Sequence, residues 1–143
     1  MSQTTDEDRV NALVVEMRVL EGTYNELTSR QNLLERALIE NRAALDALKG
    51  LGERPTDEVL TQIGGGAMLR SPPPETDKVL LGIGSNVVIE KPKDEAVAMI
   101  EGRTRDVEKS LVSVIGQRNE IAERLDADRQ VLNTMLSRQN QQG

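Results

Sequence analysis

Two segments of this chain carry apolar residues alternately three and four positions apart for about six heptads each, and that period leaves few folds open. The first seam runs through Val10, Leu13, Met17, Leu20, Tyr24, Leu27, Gln31, Leu34, Leu38, Asn41, Leu45 and Leu48. The second runs through Val97, Ile100, Thr104, Val107, Leu111, Val114, Arg118, Ile121, Leu125, Asp128, Leu132 and Met135. A stripe this narrow and this long is buried by another helix, not by a rounded core. At about 1.5 Å per residue the first helix is expected to run about 65 Å, too long for one helix of a compact domain.

The ends of both helices are marked. Thr4-Thr5-Asp6-Glu7 fits a capping box from Thr4 to Glu7, and Gly50, Gly52 and Pro55 supply a stop. Pro92 suits the first turn of the second helix, with Asp94 and Glu95 just inside it. The two arms match in length, and about 40 residues lie between them, so the simplest burial of both seams is an antiparallel hairpin of helices. Glu16 and Glu21 flank the first seam near its start, while Arg124 and Arg129 flank the second near its end. Antiparallel folding would bring them together. Gly22, Gly102 and Gly116 fall at the f position, away from the seam, where they are either tolerated drift on a solvated face or a source of flexibility.

Between the helices, VLTQIGGGAMLRSPPPETDKVLLGIGSNVVIE is the only region with strand signals. Strands are expected near Glu58 to Ile63, Ala67 to Arg70, Lys78 to Ile83 and Asn86 to Glu90, paired as two hairpins joined by the Pro72-Pro73-Pro74 link. Two hairpins without aromatics bury little, so Val59, Ile63, Leu69, Val79, Leu81, Ile83, Val87 and Ile89 are expected to be covered by hairpins of other subunits. A closed sheet or barrel would leave no open edge. The glycines do not build a phosphate site. Gly64-Gly65-Gly66 lacks the Lys-Ser/Thr that a P-loop needs, and Gly82-Ile83-Gly84 leads into another strand, so both are read as turns or bulges.

Composition removes several classes of function. With one Tyr, no Phe or Trp, and 37% hydrophobic residues, the 143-residue chain can hardly build a thick core. It has neither Cys nor His, so no metal site, no cofactor and no catalytic constellation is expected, and the chain is read as no enzyme. A net charge of −6 and a pI near 4.8 argue against nucleic acid or an anionic membrane as the main partner. MSQTTDEDR has neither a basic n-region nor an apolar h-region, and no run approaches a membrane span, in keeping with a soluble, cytoplasmic protein.

Near the free ends of the arms, apolar residues spill outside the seam. Val14, Val15 and Val19 on the first arm, and Val131 and Leu136 on the second, sit beside Val10, Leu13, Met17, Leu132 and Met135. One reading is broader packing where helix ends fray. The other is an apolar patch that grips exposed hydrophobic surface on another protein.

The order helix, IGGG hairpin, DKVLLGIGSNVVIEK hairpin and returning helix resembles the α subunits of archaeal prefoldins. In architecture the resemblance covers nearly the whole chain; its specific part is Ile63 to Gly66 and Asp77 to Lys91. Ala67-Met68 stands where the family often has an aromatic, and Pro92 where a Ser-type cap is common. The resemblance implies a mainly α fold with a small β element, in which residues 4–50 and 92–143 form the long antiparallel two-helix coiled coil. Residues 51–91 then form the double hairpin that closes a β-barrel platform with other subunits, all within one domain spanning 1–143. It further implies a hexamer of two α and four β subunits, and an ATP-independent holdase that grips unfolded client polypeptides at its tips and delivers them to a group II chaperonin. A structural coiled-coil scaffold is the alternative; the central hairpins argue against it, because a spacer needs no β platform.

Overall fold

The computed structural model describes residues 2–53 and 57–142. The order is α1 (Ser2–Glu53), β1 (Val59–Gly64), β2 (Ala67–Ser71), β3 (Lys78–Gly84), β4 (Val87–Pro92) and α2 (Lys93–Gln142). By internal packing the chain divides into two compact units, one of residues up to 35 with those from 109 onward, the other of residues 36–108.

Several expected boundaries move. Helix α1 takes in Ser2 to Thr4, where no Gly or Pro interrupts it, and runs through Gly50 to Glu53. One glycine costs a helix only about 1 kcal/mol, and here Leu48 and Leu51 on either side are both half-buried. The Thr4 side chain and the stop at Pro55 lie outside the described residues. Pro92 is the last residue of β4, opposite Lys78, instead of the first turn of α2. Its missing N–H is harmless at a strand end, and the amide of Lys93 then donates to the Asp77 carbonyl at 3.0 Å.

Every seam position named above is buried or half-buried within its own unit. In the first unit Leu20, Leu27, Val114 and Leu125 are the buried positions. Arg118 occupies the seam as a cation and is received by the other helix: it donates to the Tyr24 hydroxyl at 2.7 Å and to the Gln31 side-chain oxygen at 3.0 Å. Its guanidinium carbon also lies 4.8 Å from the centre of the Tyr24 ring. A polar layer of this kind fixes register at some cost in stability.

The ion pairs reveal the orientation of the helices. Within the first unit, Glu16 meets Arg124 at 2.7 Å and Glu21 meets Arg129 at 3.6 Å. The former pair joins g to g and the latter e to e. Only antiparallel helices put like heptad edges side by side; a parallel pair joins g to e. Within residues 36–108, Arg42 with Glu108 at 3.3 Å and Lys49 with Glu101 at 3.9 Å repeat the e-to-e pattern. All are exposed, so they report orientation more than stability. Gly22 and Gly116 are exposed, and a Cβ at either would meet nothing within 4 Å, so neither glycine serves close packing.

In the second unit the hairpins β1–β2 and β3–β4 are both antiparallel. Each closes with the same device. A register shift falls between Gln62 and Gly64 in one and between Gly82 and Gly84 in the other. Gly64 and Gly84 have φ of 109° and 107°, and the two loop residues that follow are left-handed in both: Gly65-Gly66 and Ser85-Asn86. Positive φ at both central residues suits a two-residue turn to the strand twist. Both glycine motifs are thus hairpin turns.

Candidate functional site

Hairpin β3–β4 lies on the chain's own helices. Leu81, Ala96 and Ile100 form a buried cluster, with Ala96 fully inaccessible, and Leu45, Leu48, Val79, Ile89 and Met99 pack around it. Arg103 ties the hairpin down by donating to the Gly82 carbonyl at 2.8 Å. Leu81, expected to await other subunits, is therefore buried within the chain, and Val79 and Ile89 are half-buried against the same cluster. The physical reason is that KVLLGIG and VVIEKP are apolar on both faces, and period-two alternation does not say which face turns inward.

The opposite face stays open. Leu80 is 69% exposed and Val88 is 59% exposed. Pairing of Leu80 with Glu90 and of Gly82 with Val88 places the two on one face, diagonal neighbours across the strands. In β1–β2, every residue from Leu60 to Arg70 is exposed. Leu60 and Met68 share one face, Leu69 lies on the other, and Ile63 sits exposed at the register shift. Ile83 and Val87 are exposed beside the second turn, and Val59 is half-buried. Leu60, Met68, Leu80 and Val88 were absent from the expected interface. For Leu80 and Val88 the signal was present in the consecutive runs Val79-Leu80-Leu81 and Val87-Val88-Ile89, which call for burial on both faces.

A second site lies in the unit made of the two outer helix segments. Asp6, Arg9, Ala12, Leu13 and Glu16 of α1, with Gln130, Val131, Thr134, Met135, Arg138 and Gln139 of α2, line an open groove of about 870 Å³. Leu13, Val131 and Met135 are the large apolar residues of a lining that is otherwise mostly polar or charged. The groove follows the g edge, on the side of the Glu16–Arg124 pair.

Other expected tip residues lie elsewhere on the same helices. Val10, Val14, Met17 and Leu132 are half-buried along the pair, and Val15, Val19 and Leu136 are exposed. Advancing the Glu21–Arg129 register by one heptad sets Val14 level with Leu136 on the e edge, so apolar residues stand where an ion pair stands one heptad earlier. Asp128, a seam residue beside this region, has a buried carboxylate oxygen without a hydrogen-bond partner. An unpaired buried oxygen of this kind weakens the seam around it.

Among the described residues no group of His, Cys, Asp or Glu could hold a metal ion. No helix of the described residues is long and apolar enough to cross a membrane. The open hairpin face and the groove both expose apolar side chains.

Comparison with known proteins agrees with this architecture. The family described as "Prefoldin subunit" matches residues 20–141. A curated relative named prefoldin subunit alpha, from Nitrosopumilus maritimus (strain SCM1), is 25% identical over 137 residues, spanning 96% of this chain and 94% of its own. Among solved structures, a filamentous PFD from Methanocaldococcus jannaschii superposes with a TM-score of 0.65 at 20% identity, covering 78% of this chain and 93% of that one. The prefoldin beta subunit from Thermococcus strain KS-1 gives 0.59 at 17% identity, covering 87% and 90%. The likeness to both solved structures is one of overall fold.

Proposed function

Because the chain belongs to the prefoldin family, a family of chaperones, we propose that it is an α-type subunit acting as an ATP-independent holdase. Its hairpins join those of β-type subunits in a complex of two α and four β chains. Its helix ends hold unfolded polypeptide for transfer to a group II chaperonin.

One observation carries the reading. Val15, Val19, Val131 and Leu136 are 42–63% exposed on the same helical unit that carries the groove, so apolar surface remains in water beyond what the two-helix seam uses. Such surface binds apolar segments of any sequence, needs no catalytic residue or cofactor, and gives modest affinity at each contact. Several tips acting together raise the overall affinity while each contact stays breakable, which is what handing on a client requires.

The test is a triple variant, Val15→Asp, Val131→Asp and Leu136→Asp, at sites exposed enough to leave the helices intact. Losing one apolar contact per site weakens client binding by about tenfold or more. The assembled variant is expected to fail to suppress light scattering by a chemically unfolded client at concentrations where the parent suppresses it fully. Equal protection by parent and variant would remove the helix ends as the client site.

A further inference from the structure

The groove lined in part by Leu13, Val131 and Met135 also carries charges that the holdase reading does not use. Arg9 and Arg138 both line it and both have exposed side chains. Among the described residues neither has an ion-pair partner. The groove's carboxylates differ in this respect. Glu16 is already met by Arg124, at 2.7 Å from one nitrogen and 2.9 Å from another, which leaves Asp6 as the one carboxylate of the lining without a partner.

Two arginines and two carboxylates thus line this groove, and with Glu16 taken up by Arg124 the free arginines stand against Asp6 alone, in a chain whose net charge is −6. The e edge of the same unit carries the opposite sign: Glu7, Glu21 and Glu35 occupy e positions of α1, against the single cation Arg129 on that edge of α2. Apolar residues are available on both edges; at the groove, two arginines without an ion-pair partner among the described residues line the same surface.

We infer that this groove selects client segments in which a short apolar run is flanked by acidic residues. The inference rests on the holdase reading and deepens it by naming the preferred client chemistry. The apolar run covers Leu13, Val131 and Met135, and the flanking carboxylates reach Arg9 and Arg138. Each exposed pair is weak by itself, so the preference is modest and is screened by salt.

The test uses the full-length chain and three fluorescent peptides that share one apolar core, flanked by Asp, by Ser or by Lys. At low salt the Asp-flanked peptide is expected to bind about three- to tenfold more tightly than the Lys-flanked one, with the Ser-flanked peptide between them. At several hundred millimolar salt the three are expected to converge. The variant Arg9→Glu with Arg138→Glu is expected to reverse the order and leave the Ser-flanked affinity nearly unchanged. Circular dichroism checks that its helix content equals the parent's. Equal binding of all three peptides at low salt, or an unchanged order in the variant, would overturn the inference and leave the holdase reading standing. Failure of the parent to bind any of the three would overturn the inference, while the light-scattering assay of the assembled complex decides the holdase reading separately.

Discussion

Replacing Leu81 by Asp is expected to destabilise the packing of hairpin β3–β4 on the helices by about 3–5 kcal/mol. Leu81 is 6% exposed and lies against Ala96, which has no accessible surface, and Ile100. The substitution removes a buried aliphatic side chain and leaves a carboxylate with no cation in that cluster, so two penalties add. The chain with Leu81→Asp should unfold at a clearly lower urea concentration, and amides of residues 78–92 should lose protection from hydrogen exchange first. A urea midpoint equal to the parent's would mean that the hairpin is not held by this cluster.

Replacing Leu80 and Val88 together by Asp is expected to do the reverse. Both side chains project from the open face of the same hairpin, so the isolated chain should keep its stability within about 0.5 kcal/mol. If this face meets hairpins of other subunits, each lost contact removes about 1.5–3 kcal/mol of apolar burial, and the two charges must also be desolvated. Assembly should weaken by about a thousandfold or more, so that sedimentation at micromolar concentration finds free chains. A variant that assembles at the same concentration as the parent would place the subunit interface elsewhere. Neighbouring residues of one strand would thus separate folding from assembly: Leu81 belongs to the chain's own core, and Leu80 to the open face of the hairpin.

Much of this architecture is legible in the sequence because heptad periodicity is a strong signal over about six repeats. Even the polar members of the seams, Gln31, Asn41, Thr104, Arg118 and Asp128, face inward. The Glu16–Arg124 and Glu21–Arg129 pairs form as antiparallel folding requires, since their spacing along two helices of matched length leaves one register. The hairpin turns are legible too, because Gly64 to Gly66 and Gly84 to Asn86 supply the residues that tolerate positive φ.

Three features were not legible, each for a physical reason. A strand apolar on both faces does not announce which face meets its own helices, and so Val79, Leu81 and Ile89 could not be told from Leu80 and Val88. Arg118 in a seam reads as an interruption until Tyr24 and Gln31 are seen on the other helix, 94 and 87 residues away in sequence. At the helix ends, an excess of apolar residues is evident from composition, but only the helix pairing gathers Leu13, Val131 and Met135 into one groove between Arg9 and Arg138.

A chain that works inside a hetero-oligomer and holds unfolded polypeptide must show both properties in one complex. Native mass spectrometry of the complex captured from its own cells, before and after addition of a chemically unfolded client, tests both at once. The expected mass is that of two copies of this chain with four of a smaller helical-hairpin protein, shifted by one client when client is present. A self-dimer that gains no mass on client addition would contradict it and favour a coiled-coil scaffold.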